Sequence, residues 1–225
     1  MNRLIVAGAV GLALIGGMYL WQGASGSDTA ADLPMGAVNA QESADIDTSG
    51  IIEMTLGPDD APVTVIEYAS FTCPHCARFH ENQLRQLKAN YIDAGKVRFI
   101  YRDVFFDRYG LWASIVARCG GEDRFFGITD LIYAQQSDWI GDGQDPVQIA
   151  NNLRRIGKVA GLSEDRLDAC LNDEDKAQAL VAWYQAHAEA DDIRSTPSLI
   201  INGQKHGNLS FDELSGIIDA ILGEG

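Results

Sequence analysis

Cys73 and Cys76 are separated by two residues in Cys73-Pro74-His75-Cys76. That spacing serves a redox pair that opens and closes a disulfide, half of a zinc site completed by His75, His80 or a distant ligand, or a static disulfide. Pro74 directly after Cys73 favours the first turn of a helix over a zinc knuckle, because the first helical position needs no backbone N–H. There is no second C-x-x-C, and the other two cysteines, Cys119 and Cys170, are single and far apart. Redox chemistry is therefore the favoured reading. A sulfur placed where a strand passes into a helix meets exposed backbone N–H groups and the positive end of the helix dipole, which favour a thiolate. His75 is expected to add a further donor and a positive charge beside it. A dithiol stabilised in this way is a strong oxidant once it starts as the disulfide. Cys76, one turn further in, is expected to be more buried, as suits a resolving thiol. The pair needs no cofactor.

These thiols need a strand before them and a helix after them, and the flanking sequence supplies both. Ile51 to Leu56 and Val63 to Tyr68 are β-branched and aromatic runs separated by Gly57-Pro58-Asp59-Asp60. After the cysteines, Phe79, Leu84, Leu87 and Tyr91 recur at roughly helical spacing until Gly95, and Val97 to Tyr101 reads as another strand. Strand, helix, strand suggests a parallel crossover. Residues 111–190 carry helical periodicity and little strand signal, enough for four or five helices. Strand character returns at Ser198 to Ile201, followed by a turn at Asn202-Gly203 and a last amphipathic helix over Phe211 to Leu222. The expected fold class is α/β, a sheet domain of residues 51–110 and 191–225 split by an all-helical insertion at 111–190. The aromatics Trp112, Phe125, Phe126, Tyr133, Trp139, Trp183 and Tyr184 read as core, with Phe71 and Trp112 as candidates for the border of a peptide groove. His187 and His206 carry no pattern and are expected to face solvent.

Composition sets the outer limits. The chain has 225 residues, is 46% hydrophobic and carries a formal net charge of −15, which argues against nucleic acid or an anionic membrane surface as partner. Arg3 is followed by an uncharged run from Leu4 to Trp21, the pattern of an export leader. Residues 1–21 are read as a signal peptide or an uncleaved membrane anchor, and residues 22–50, with five acids and no Lys or Arg, as a flexible linker. The rest is expected outside the cytoplasm, in the periplasm, where an even cysteine count favours disulfides. Cys119 and Cys170 are then expected to form a structural bridge, the alternative being two buried free thiols.

Two further features carry weight. Glu67 lies six residues before Cys73 in a strand of Val65, Ile66 and Tyr68, where a buried carboxylate is expensive unless it does something. An outward-facing glutamate is the plain alternative. In Ser195-Thr196-Pro197, a proline heads a strand, one of the few strand positions that can lose its donor.

Tyr68-Ala69-Ser70-Phe71-Thr72-Cys73-Pro74-His75-Cys76, the helical insertion and Ser195-Thr196-Pro197 together resemble the DsbA-like thiol–disulfide oxidoreductases, over about residues 51 to 225. The resemblance implies a thioredoxin-like fold with an inserted helical domain. It makes Thr196-Pro197 the cis-proline loop opposite the cysteines, and Glu67 the acidic residue beneath the disulfide that manages protons. It implies an enzyme that introduces disulfides into exported bacterial proteins. Its partners would be unfolded or partly folded clients with free thiols and a quinone-linked membrane protein that reoxidises it. A monomer is expected. Two rivals stay open: a disulfide isomerase or reductase kept reduced by a membrane donor, and a binding module that holds clients without catalysis.

Overall fold

The computed structural model describes residues 46–223. The expected leader at 1–21 and the expected linker up to residue 45 lie outside the described residues. Among the described residues, no helix is long and apolar enough to cross a membrane.

The β-branched and aromatic runs pair into one mixed sheet in the order β1-β3-β2-β4-β5. The strands are β1 (Met54–Leu56), β2 (Val63–Ala69), β3 (Val97–Asp103), β4 (Ser198–Ile201) and β5 (Gln204–His206). β2 and β3 are parallel, as the strand–helix–strand pattern requires, and every other pairing is antiparallel. The first strand is shorter than expected: the Ile52 carbonyl accepts from the Arg118 guanidinium instead of joining a ladder. β5 is short, polar and without β-forming residues, so its sequence carries no strand signal. The turn before it creates it, because Asn202 and Gly203 both take positive φ (43° and 83°), the conformation of a two-residue hairpin turn.

Helix α1 (residues 74–92) crosses between β2 and β3. It is α-helical over Pro74–Phe79 and Arg85–Leu87, with wider π turns at His80–Leu84 and Lys88–Ile92. The five-residue step from Phe79 to Leu84 is too long for one face of a regular α-helix, and the π turn there brings both onto the core. Along β2, Val63, Val65, Glu67 and Ala69 share the face that meets the main core. Tyr68 points the other way, into a small cluster with Val104 and Ile200.

Six helices run between β3 and β4: α2 (Arg108–Cys119), α3 (Glu122–Ala134), α4 (Gln136–Ile140), α5 (Pro146–Val159), α6 (Glu164–Leu171) and α7 (Glu174–Ala190). The sequence suggested four or five, and the short α4 leaves too few residues for a periodic pattern. Asp107, Asp145, Ser163 and Asp173 cap α2, α5, α6 and α7, each accepting from a backbone N–H in the first turn. α8 (Phe211–Leu222) begins with a capping box between Ser210 and Glu213.

Phe71 and Trp112 do not border a groove. Both are buried, at 1% and 5% exposure, Phe71 against Tyr101 and Tyr133 and Trp112 against Tyr109. His187 does not face solvent either: its Nδ1 lies 2.8 Å from the Trp183 carbonyl and its ring stacks on that indole. His206 is half-buried in β5.

Two links fix the helical section, one to the sheet and one within itself. The buried Arg118 donates through Nε and a terminal nitrogen to Asp103 Oδ2 at the end of β3, at 3.0 and 2.7 Å. Cys119 and Cys170 are bonded, with Cα atoms 5.9 Å apart, joining α2 to α6.

Asp103→Ala strands the Arg118 charge in the interior and is expected to destabilise the protein by roughly 3–5 kcal/mol. Denaturant unfolding checks this, and a loss within the ordinary scatter of surface mutations would refute it. Replacing Cys119 and Cys170 together with Ala should remove on the order of 4 kcal/mol, since the bridge closes a loop of about fifty residues in the unfolded chain. Melting of the double variant measures that loss.

Candidate active site

Strand β2 ends at Ala69, and three residues later the chain turns into α1. Cys73 is the residue before the helix, in an extended conformation, and Pro74 opens the first turn. The Cys73 N–H is taken by the Ser70 carbonyl at 3.0 Å, which fixes the turn. Cys73 is half-buried, while Cys76, on the inner face of the first turn, is fully buried. Neither is in a disulfide.

The two sulfurs differ sharply. The Cys73 thiol is held down to about 5. The largest cause is the Cys76 thiol, which donates to its sulfur. The Thr196 side chain and the backbone N–H groups of Cys76 and His75 add to this, and together they outweigh partial burial. Cys76 is pushed far above the ordinary thiol range, first by burial, then by its bond to Cys73 and the negative charge of Glu67. One sulfur is thus a thiolate and the other a thiol at neutral pH.

The Thr196-Pro197 peptide is cis and lies across from the helix N-terminus. The Cys73 sulfur is 3.5 Å from the Thr196 carbonyl oxygen, so the loop before β4 touches the reactive atom. Glu67 is fully buried, on the core face of β2 and in register with Tyr101 of β3 and Leu199 of β4. His75 behaves differently from expectation. Its ring is exposed and its Nδ1 accepts from Arg78 at 2.8 Å, so the residue reaches Cys73 only through its backbone N–H.

Three residues that the sequence did not single out as redox-site groups belong to the same constellation. His80 is buried, with Nε2 2.9 Å from Glu67 Oε2. It follows Cys76 by four residues, which places both on one helix face, a signal present in the sequence. Gln136 of α4 donates from its side-chain amide to the Phe71 and Cys73 carbonyls, at 2.8 and 3.0 Å. Asp107, the α2 cap, accepts from the Thr72 hydroxyl at 2.7 Å. The latter two act across 63 and 35 residues of chain, beyond any local pattern.

The arrangement can perform thiol–disulfide exchange at Cys73, with Cys76 as the second sulfur. Among the described residues, no group of three or more His, Cys, Asp and Glu side chains could hold a metal ion.

Residues 50–220 match the family model described as Thioredoxin. The chain is 34% identical over 173 residues to a Rickettsia conorii protein named as a protein-disulfide oxidoreductase, covering 76% of this chain and 61% of that one. This chain thus spans about three fifths of that relative's length. It is 25% identical over 174 residues to disulfide bond formation protein D of Bacillus subtilis, covering 74% of this chain and 76% of that one. Among solved structures it is similar to Wolbachia pipientis alpha-DsbA1, with a TM-score of 0.69 and 27% identity, over 76% of this chain and 92% of that one.

Thiolate absorbance of the reduced protein should titrate with a midpoint near pH 5 for Cys73. Cys76→Ala removes the strongest donor to that sulfur and should move the midpoint upward. His75→Ala should move it little, because the imidazole is turned to Arg78. A wild-type midpoint in the ordinary thiol range, near 8.5, would contradict the geometry described.

Proposed function

The chain belongs to the thioredoxin family, among its DsbA-like protein-disulfide oxidoreductases, and from that premise we propose that it introduces disulfide bonds into proteins outside the cytoplasm. The observation that carries this reading is the contrast between the two sulfurs. A Cys73 held as thiolate at neutral pH is stabilised only when the pair is reduced, so closing the disulfide forfeits that stabilisation. Such a pair gives its disulfide away.

In the proposed cycle the oxidised protein carries a Cys73–Cys76 bond. A client thiolate attacks the Cys73 sulfur, a client–Cys73 bond forms, and the Cys73–Cys76 bond breaks with its electron pair leaving on Cys76. Cys76 takes up a proton. A second client thiolate then attacks the client sulfur, a client disulfide forms, and Cys73 departs as a stable thiolate. The client loses two electrons, which the pair now holds. Cys73 is the attacked sulfur because it is the accessible one, and in the second exchange its stabilised thiolate makes it the good leaving group. The Thr196-Pro197 loop, touching that sulfur, would present main-chain groups to an extended client segment, so that many unrelated sequences are accepted. Glu67 serves as the acid and base for Cys76. No cofactor beyond the pair is required, and a quinone-linked membrane partner would return it to the disulfide. Export is supported by the apolar run after Arg3 and by the Cys119–Cys170 bond, which persists in oxidising compartments. We propose the periplasm and a monomeric protein.

The test is oxidation of a reduced, unfolded client by a stoichiometric amount of the oxidised protein, followed by free-thiol counting. Client thiols should disappear as protein thiols appear, and Cys73→Ala should abolish transfer. A protein that reshuffles a scrambled client only when reduced, and oxidises none, would be an isomerase. Client capture that survives alkylation of both cysteines would mark a binding module.

A further inference from the structure

Exchange at this site moves a proton on and off Cys76, a sulfur with no exposed surface. Glu67 beside it is equally buried, so a proton held there still has to reach water. His80 connects that carboxylate to the outside. Its Nε2 faces Glu67 Oε2 at 2.9 Å, while its Nδ1 has no hydrogen-bond partner among the described residues although the side chain is 2% exposed. A buried, unpaired ring nitrogen is costly unless something meets it. The side chain also borders space: His80 and Tyr133 are the buried lining of a cavity of about 180 Å³ whose other walls include the exposed Arg78, Glu81, Arg85 and Ala134. A site of that size with polar walls has room for several waters.

The groups around the pair leave the imidazole as the one that joins the buried carboxylate to the cavity. From α1, Cys76 feels the charge of Glu67, and Arg78, Glu81 and Arg85 line the cavity. From β3, Tyr101 packs edge-on against the His80 ring, and from α3 Tyr133 stacks at 4.4 Å. Burial pushes both phenols well above their ordinary value, so they stay neutral. Asp130 of α3 also lines the cavity. Burial raises its carboxyl, against the opposing pull of His80 and Arg85. An imidazole can take a proton at one ring nitrogen and release one at the other, and here Nε2 faces Glu67 while Nδ1 is left unpaired.

We propose that His80 is a positioning residue that passes the proton of Cys76 between Glu67 and water in this cavity. The proposal rests on the exchange cycle above. When the disulfide opens, Cys76 leaves as a thiolate and takes a proton by way of Glu67. The carboxylate recovers one from His80 Nε2–H, and Nδ1 takes one from cavity water, so the imidazole ends neutral in its other tautomer. When the pair closes, every transfer runs backward: Nδ1 releases a proton to water, Nε2 takes one from Glu67, and the carboxylate so formed takes the proton of Cys76. The Cys76 thiolate then attacks Cys73, the Cys73–Cys76 bond forms, and the bond from Cys73 to its partner breaks with that partner leaving as a thiolate. No further oxidant or reductant enters.

The experiment follows closure of the mixed disulfide between Cys73 and glutathione in the full chain, prepared at acid pH and jumped to a series of higher pH values. His80→Gln keeps a group that can bond Glu67 and removes the second ring nitrogen on which the relay depends. Closure should slow roughly tenfold, a modest part of what positioned acid–base groups contribute, and its pH profile should flatten. His80→Ala should slow similarly and recover when imidazole is added, which a purely structural role would not produce. Should either variant fail to fold, Ala134→Phe at the exposed rim narrows the cavity without touching the pair and should slow closure as well. Closure by His80→Gln or Ala134→Phe at the wild-type rate and pH profile would overturn the relay alone, as would a His80→Ala variant indifferent to imidazole. A wild-type adduct that never closes would overturn the exchange cycle and the relay with it.

Discussion

One hydrogen bond organises the chemistry: the Cys76 thiol donating to the Cys73 sulfur at the start of α1. It requires one sulfur at the rim of the helix N-terminus and the other a turn inside, dry enough to keep its proton. Each surrounding device serves that difference. Pro74 starts the helix without a wasted donor, β2 delivers the chain to that point, and the buried Glu67 raises the inner thiol further. Backbone N–H groups of the first turn, pointing at the outer sulfur, favour its thiolate over its thiol. If the two sulfurs were equally exposed, the field that sorts proton from electron pair would vanish.

The helical section does more than enlarge the protein. Gln136 holds the carbonyls of Phe71 and Cys73, and Asp107 holds the Thr72 hydroxyl, so the turn that carries Cys73 is gripped from a part of the chain far away in sequence. Arg118 anchors that same section to the end of β3 through Asp103 and reaches the Ile52 carbonyl as well. The sheet and the helical section therefore fix each other at the point where the cysteines sit.

Much of this is legible in the amino-acid sequence, and the exceptions have a common cause. Strand–helix–strand order, the Asn202-Gly203 turn and the burial of Cys76 follow from local signals: residue type, spacing and turn chemistry. Even the π turn leaves a trace in the five-residue gap between Phe79 and Leu84, although rough helical spacing alone does not distinguish it from ordinary helix. What escapes depends on contacts made across the fold. β5 exists because a turn returns the chain, and its residues give no hint of it. Gln136 and Asp107 are unremarkable polar residues until folding brings their carbonyl and hydroxyl partners to them. Aromatics near a reactive site suit a groove, yet packing against Tyr101, Tyr133 and Tyr109 removes Phe71 and Trp112 from the surface. His75, between the cysteines, is the obvious electrostatic neighbour by spacing, while the histidine that faces the buried acid lies four residues beyond Cys76.

The separation of the two thiols also sets the pH response of the couple as a source of electrons. Above about pH 5 the reduced pair holds a single proton, on Cys76, because Cys73 is already a thiolate. Closing the bond then yields two electrons and one proton, and the potential of the couple shifts by about 30 mV per pH unit, half the slope of an ordinary dithiol. An ordinary dithiol gives up two protons when it forms a disulfide. Each client bond made by this pair therefore acidifies the surroundings by one proton, and the equilibrium weakens tenfold for each pH unit of acidification down to about pH 5.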